Sequence, residues 1–248
     1  MTVDLNSDLG EGTGYDDEIL SLVSSANIAC GFHAGTPESI LHSITAAKQR
    51  NVAIGAHPSL DDRANFGRTE IQIPAPQLSS LITYQLGAFS ALCRAAGARL
   101  SHVKPHGALY NMSARDEALA SGIARAIAGF DRSLIIFAPT GSALAAASRA
   151  CGLQVVAEVF ADRNYNADGS LVSRTRPDAL LHGATEAAER AIRMLREGKV
   201  RTVDGTDLAL TAETICVHGD TPGAVEYVRT LRERLEEEGI VIAPPPGR

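Results

Sequence analysis

Short strand-like stretches alternate with helix-like ones along almost the whole chain. Most of the strands run out into histidine, lysine or carboxylate. The strands read as 3–9, 27–31, 52–56, 100–105, 134–138, 155–161 and 215–217. The run Leu134-Ile135-Ile136-Phe137-Ala138 has the character of a strand buried on both faces. Helices are expected from Asp16 (as its cap), from Thr36-Pro37 to Arg50, from Pro76 to Gly97, after a cap at Ser113, over Ser142–Cys151, over Thr185–Glu197, and from Thr221-Pro222 to near Gly239. Ile240-Val241-Ile242 reads as a closing strand. Asp168-Gly169 is a hairpin signal inside a β-arm over Asn164–Arg174.

Seven or eight β/α units with no compositional break suit two α/β folds, a closed barrel or an open doubly wound sheet. The barrel is favoured, because it draws site residues from nearly every strand end. The expected organisation is one β/α barrel domain over residues 1–243, with 244–248 as a frayed tail.

Side chains on a strand alternate between faces. Asp4, Asn6 and Asp8 therefore share a face, as do His102, Lys104 and His106, Glu158 and Asp162, and His218 and Asp220. Each set lies near the C-terminal end of its strand, the active-site end of a β/α barrel. Val103, Val159 and Val217 would then face the helices. His33 and His57 close two further strands. Any one of these histidines alone is best explained as a bonded structural residue, whereas their convergence from five strands points to an active site. Lys104 adds weight, because a lysine aimed into a barrel needs a partner or a substrate.

Other residues read more plainly. His42 and His182 fall off the strand ends and are expected in solvent. Cys30 reads as a small buried residue rather than a nucleophile. The glycine-rich Gly10-Glu11-Gly12-Thr13-Gly14 matches neither G-x-G-x-x-G nor the P-loop and reads as a turn. No H-E-x-x-H or G-x-S-x-G occurs. The histidines and aspartates could hold a divalent metal, but no ligand set is assigned.

A net charge of −6 with scattered basic residues argues against a nucleic-acid partner. The four cysteines form no C-x-x-C pair and read as reduced thiols. With a polar start and no bilayer-length apolar run, a cytoplasmic, non-membrane protein is expected. A homo-oligomer is left open.

Six segments together resemble the LamB/YcsF family: residues 4–11 (DLNSDLGE), 27–35 (NIACGFHAG), 55–58 (GAHP), 102–110 (HVKPHGALY), 160–163 (FADR) and 216–222 (CVHGDTP). The resemblance spans residues 3 to 243. It implies a distorted (β/α)7-type barrel similar to the glycoside hydrolase/deacetylase group. It also implies ATP-dependent opening of the lactam 5-oxo-L-proline to L-glutamate, carried out with partner subunits B and C of a 5-oxoprolinase complex. Two departures stand out: Thr36 where the family commonly has Asp, and Leu60-Asp61 where it commonly has Tyr-Pro.

On that reading, ATP is used by the complex and not bound through a motif in this chain. The expected catalytic set is Asp8, Glu11, His33, His57, Lys104, His106 and His218. His57 or His106 would be the base, oriented by Asp8 or Glu11, and Lys104 would stabilise phosphate or an oxyanion. Asn6, Glu158, Asp162, Arg163 and Asp220 are assigned to substrate binding, with Arg163 clamping a carboxylate and Asp220 pairing with His218. The alternatives are a metal-dependent deacetylase of sugars or amides, and a non-catalytic small-acid-binding subunit.

Overall fold

The computed structural model describes residues 1–181, 183–218 and 223–247. In chain order the elements are β1 (Thr2–Leu9), α1 (Asp16–Leu20), β2 (Ser25–Ala29), α2 (Pro37–Gln49), β3 (Ala53–His57), α3 (Ala75–Ala95), β4 (Leu100–Val103), α4 (Gly107–Arg115), α5 (Glu117–Phe130), β5 (Ile135–Pro139), α6 (Ala143–Ala150), β6 (Gln154–Phe160), α7 (Ala184–Glu197), β7 (Lys199–Arg201), β8 (Asp207–Ala209), β9 (Thr214–His218), α8 (Ala224–Glu237) and β10 (Val241–Ile242).

Seven parallel strands close a barrel in the order β1-β2-β3-β4-β5-β6-β9, and β9 returns to β1. β10 pairs in parallel with the N-terminal end of β1 through Thr2↔Val241 and Val3↔Ile242. The expected distorted (β/α)7-type barrel is therefore the fold. The distortion sits around β4, which pairs with β5 only at His102↔Ile135 and Val103↔Ile136. Its register against β3 shifts between Ile54 and Gly55.

The two faces of the barrel wall have opposite chemistry. Outward side chains such as Leu5, Leu9, Ile28, Val103, Ile136, Val159, Ile215 and Val217 pack with Ile44, Leu78, Leu86, Phe89, Ile127 and Leu231 of the helices into one apolar core. Inside, Ile135, Phe137 and Val156 form a small apolar cluster. Much of the rest is polar and bonded. Asp4 accepts from Ser24 and Ser25 at 2.7 Å each and from Thr214. Asn6 donates to Glu158 and Thr214 and accepts from Asn27. Such groups are tolerated inside only because each finds a partner.

The register shift has a steric cause. The His102 ring stacks on Phe137 at 4.3 Å and bonds Asn27 Oδ1 and Ser101 Oγ, each at 2.9 Å. It thereby occupies the place of a side chain at position 55, where a Cβ would lie 2.0 Å from His102 Nε2. Gly55→Ala is therefore expected to destabilise the protein by about 1–3 kcal/mol through forced movement of the ring, read as a lower urea midpoint. An unchanged midpoint would refute this packing account.

Several local expectations change. Asp16 does not cap α1: the residue before that helix is Tyr15, and Asp16 Oδ2 instead accepts from Gly10 N–H at 2.7 Å and Ser43 at 2.9 Å. Ser113 lies inside α4, its hydroxyl donating to the Tyr110 carbonyl, and Asp116 caps the separate helix α5. Thr36 caps α2 as expected, with Pro37 first in the helix. The expected arm beyond β6 is present as a short antiparallel hairpin around Asp168-Gly169, with the bridge Tyr165↔Leu171 flanked by Asn166 N–H donating to the Ser170 carbonyl at 2.8 Å and Val172 N–H to the Asn164 carbonyl at 2.9 Å. The hairpin β7–β8 is an addition to the expected elements, although Asp204-Gly205 carries its turn signal. His182 and Thr221-Pro222 lie outside the described residues. Among the described residues, no helix is long and apolar enough to cross a membrane.

Candidate active site

Strand parity delivers the expected side chains to one place. Asp8 is opposite Asn27 on β2 and His218 on β9, and Ala29 is opposite His57. The C-terminal ends of these strands open into a cavity of about 730 Å³. Asp8, Glu11, His57, Lys104, His106, Glu158, Arg163 and His218 all line it. Asn6, His33 and Asp162 are buried and do not line it. Asp220 lies outside the described residues.

Lys104, just beyond β4, is the hub. It is 2 % exposed, and its ammonium lies 2.9 Å from Asp8 Oδ1, 2.9 Å from Glu158 Oε1 and 2.9 Å from Cys216 Sγ. Burial works to lower its pKa, but Asp8, Cys216 and Glu158 together hold it well above the usual lysine value. Burial likewise works to raise Asp8, while the facing His57 ring and Lys104 hold it well below the usual carboxylate value. Glu158 also accepts from the Tyr110 hydroxyl at 2.6 Å. Burial and the adjacent Glu158 push that phenol up, so Tyr110 remains a donor.

A second group sits beside the hub. His57 Nε2 lies 3.3 Å from Asp8 Oδ2, and its Nδ1 meets the Lys104 carbonyl at 2.7 Å. His106 contacts His57 at 2.9 Å and the Phe66 carbonyl at 2.8 Å. His33 stacks on His106 at 3.8 Å and meets Glu11 at 3.1 Å. Phe66 is held in the left-handed region at φ 56, with its carbonyl on His106. A non-glycine residue is kept there against a cost of about 1–3 kcal/mol only by surrounding structure. Burial, followed by the neighbouring His57, pushes His33 down to about 2 and also lowers His106. Both rings are therefore neutral at physiological pH.

On the opposite wall, His218 Nδ1 bonds Asp162 Oδ2 at 2.7 Å, and the ring stacks on Phe160. Burial raises Asp162, but His218 brings it below the usual value. Among the described residues, the carboxylate paired with His218 is thus Asp162. Arg163 is anchored by Nη2 to the Val172 carbonyl at 2.6 Å.

His102 stays structural, as its contacts show. His42 is exposed on α2, beside Asp17 at 3.4 Å. The Cys30 thiol is pushed up by burial, away from nucleophilic use. Thr36 is occupied as a helix cap, Leu60 is buried and Asp61 exposed, and none of the three lines the cavity. Three contributors went unassigned in the sequence: Asn27, Tyr110 and Cys216. Cys216 shares the face of His218 two residues on, so parity alone could have flagged it. Tyr110 needed the α4 start, and Asn27 needed the β1–β2 register.

Deeper in the barrel, Asp4 behaves differently. Burial raises it to about 6 against three hydroxyl donors. A raised folded-state value means that its contribution to stability is full below 3.8 and lost as pH rises through 6. Asp4→Asn should therefore gain stability relative to the parent between pH 4 and pH 7.5, by up to about 3 kcal/mol. Urea midpoints of both proteins at the two pH values test this, and a pH-independent difference would contradict it.

The fold and site define a class: a distorted parallel β/α barrel with a buried lysine–carboxylate–histidine centre at the C-terminal mouth of its strands. The chain belongs to the LamB/YcsF family, whose profile matches residues 3–247. It is 49% identical over 245 residues to the A subunit of 5-oxoprolinase from Oceanobacillus iheyensis, covering 97% of this chain and 95% of that one. The corresponding protein of the same name from Shouchella clausii is also 49% identical, with 97% of each covered. The crystal structure of a lactam utilization protein from Thermus thermophilus superposes with a TM-score of 0.91 at 44% identity, covering 98% of this chain and 99% of that one. A polysaccharide deacetylase from Bacillus cereus shares the fold alone, with a TM-score of 0.51 at 11% identity and coverage of 99% and 92%.

Proposed function

We propose that this chain is the ring-opening component of an ATP-dependent 5-oxoprolinase, converting 5-oxo-L-proline to L-glutamate together with subunits B and C. The observation that carries the reading is the cavity floor. There a buried ammonium sits beside the contacting rings of His57 and His106, in a chain closely similar to 5-oxoprolinase components.

A lactam is a stabilised amide, so phosphorylating its oxygen makes the ring carbon far more electrophilic. The absence of a nucleotide-binding motif in this sequence fits partners that perform that step. At this site water adds to the ring carbon while His57, oriented by the Lys104 carbonyl that accepts from its Nδ1, takes its proton. The ring C–N bond then breaks as its nitrogen gains a proton, leaving a γ-glutamyl phosphate. A second water converts this to glutamate and inorganic phosphate. Lys104 offsets the negative charge that develops on oxygen, and Arg163 at the cavity wall clamps the substrate carboxylate. His218 with Asp162 is the second acid–base pair, and His106 and Glu11 hold the water.

The test is glutamate formation from 5-oxoproline and ATP with all three subunits, and with this chain omitted. Equal turnover without the chain would overturn the reading. Micromolar ATP binding to this chain alone, by calorimetry, would overturn the division of labour.

A further inference from the structure

We propose that Glu11, His33, His57 and His106 form a binding site for a divalent transition metal of the zinc class. The reason lies in where the ring protons must be. His57 Nδ1 is 2.7 Å from the Lys104 carbonyl oxygen, and His106 Nε2 is 2.8 Å from the Phe66 carbonyl oxygen. A carbonyl oxygen only accepts, so each of these nitrogens carries the hydrogen. In neutral rings, His57 Nε2 and His106 Nδ1 are then bare lone pairs, and they face each other at 2.9 Å.

The surroundings are also acceptors. Asp8 Oδ2 lies 3.3 Å from His57 Nε2, and Glu11 Oε1 lies 3.5 Å from His106 Nδ1 and 4.0 Å from His57 Nε2. His33 Nε2 is 3.1 Å from the same Glu11 oxygen. Bare lone pairs held in contact repel, so a cation belongs between them. A proton bridges only two atoms, whereas one ligand atom from each of the four residues lies within 4.8 Å of all the others. Tetrahedral zinc at about 2.0–2.1 Å from each ligand separates its ligands by roughly 3.3 Å. The four contacts given above, from 2.9 to 4.0 Å, scatter about that value, and every separation in the set is within 4.8 Å.

The outer nitrogens of His57 and His106 are tied to backbone carbonyls, the arrangement that orients metal-binding imidazoles. Three nitrogens and one carboxylate suit zinc and its neighbours rather than magnesium or calcium, which take oxygen ligands. His33 is the least firmly held of the four, since its Nδ1 is buried without a hydrogen-bond partner among the described residues.

The proposal concerns metal binding by this chain alone and does not rest on the lactam reading; with a metal bound, His57 Nε2 has no free lone pair for a proton, and the base role falls to His218, paired with Asp162. The test is elemental analysis of the full chain, purified without chelator, incubated with zinc and then desalted. About one equivalent per chain is expected. The cobalt-substituted protein should show the visible absorption of a tetrahedral site. His57→Ala and His106→Ala should each lower occupancy at least about tenfold, while His42→Ala, on the exposed face of α2, leaves it unchanged. Absence of stoichiometric zinc, cobalt, manganese or nickel would overturn the proposal. So would occupancy insensitive to both variants, or a metal-free protein whose nitrogen NMR shows His57 doubly protonated at neutral pH, because a proton would then fill the gap. No outcome reads lactam turnover, so this inference and the proposed function fail separately.

Discussion

Lys104→Met is expected to abolish most activity and to cost about 3–5 kcal/mol of stability. Methionine approximates the lysine stem, so little packing volume is lost. What is lost is the positive charge lying 2.9 Å from both Asp8 and Glu158. Two buried carboxylates would then face each other without that compensation, which is the costly way to break a buried ion pair. Activity should fall about 10³-fold, the scale for removing a group that stabilises charge developing in the transition state. Urea unfolding and the three-subunit glutamate assay measure the two effects. A stable, active Lys104→Met protein would show that the lysine is neither structural hub nor catalytic charge.

His57→Ala separates chemistry from scaffold. The ring is buried, touches Asp8 and His106, and makes one bond to the Lys104 backbone. Its removal should lower turnover by about 10²–10⁴-fold at a stability cost of only about 1–3 kcal/mol. His102→Ala should behave in the reverse way. That ring is locked to Phe137, Asn27 and Ser101 and does not line the cavity. Its loss should destabilise the protein more than it slows each folded molecule. Comparable turnover losses in the two variants, corrected for folded fraction, would remove the distinction between them.

Much of the site was legible because a strand has a period of two. Asp4, Asn6 and Asp8 turned inward together, and so did His102 and Lys104, with Val103 facing the helices. Period alone could not separate roles within one face. His102 and Lys104 are equivalent by parity, yet one packs under β3 and the other holds two carboxylates. The difference comes from the register of β4 against β3, which depends on Gly55. The partner of His218 shows the same limit. Neighbours in sequence suggested Asp220, which lies outside the described residues, and the β6–β9 pairing adds Asp162, which the sequence had not placed beside His218. Loop contacts were hidden altogether: nothing local announces that Phe66 offers its carbonyl to His106.

The sequence by itself determined the β/α rhythm, the inward set of polar side chains and the family. These rest on local periodicity and ordered motifs, which survive without knowledge of contacts. The tertiary structure decided which strands close the barrel, which histidine is scaffold, and which ring nitrogens of His57 and His106 meet backbone carbonyls. Those are settled by register and by carbonyls arriving from distant loops, and they turn a row of titratable residues into a lysine hub beside a histidine cluster.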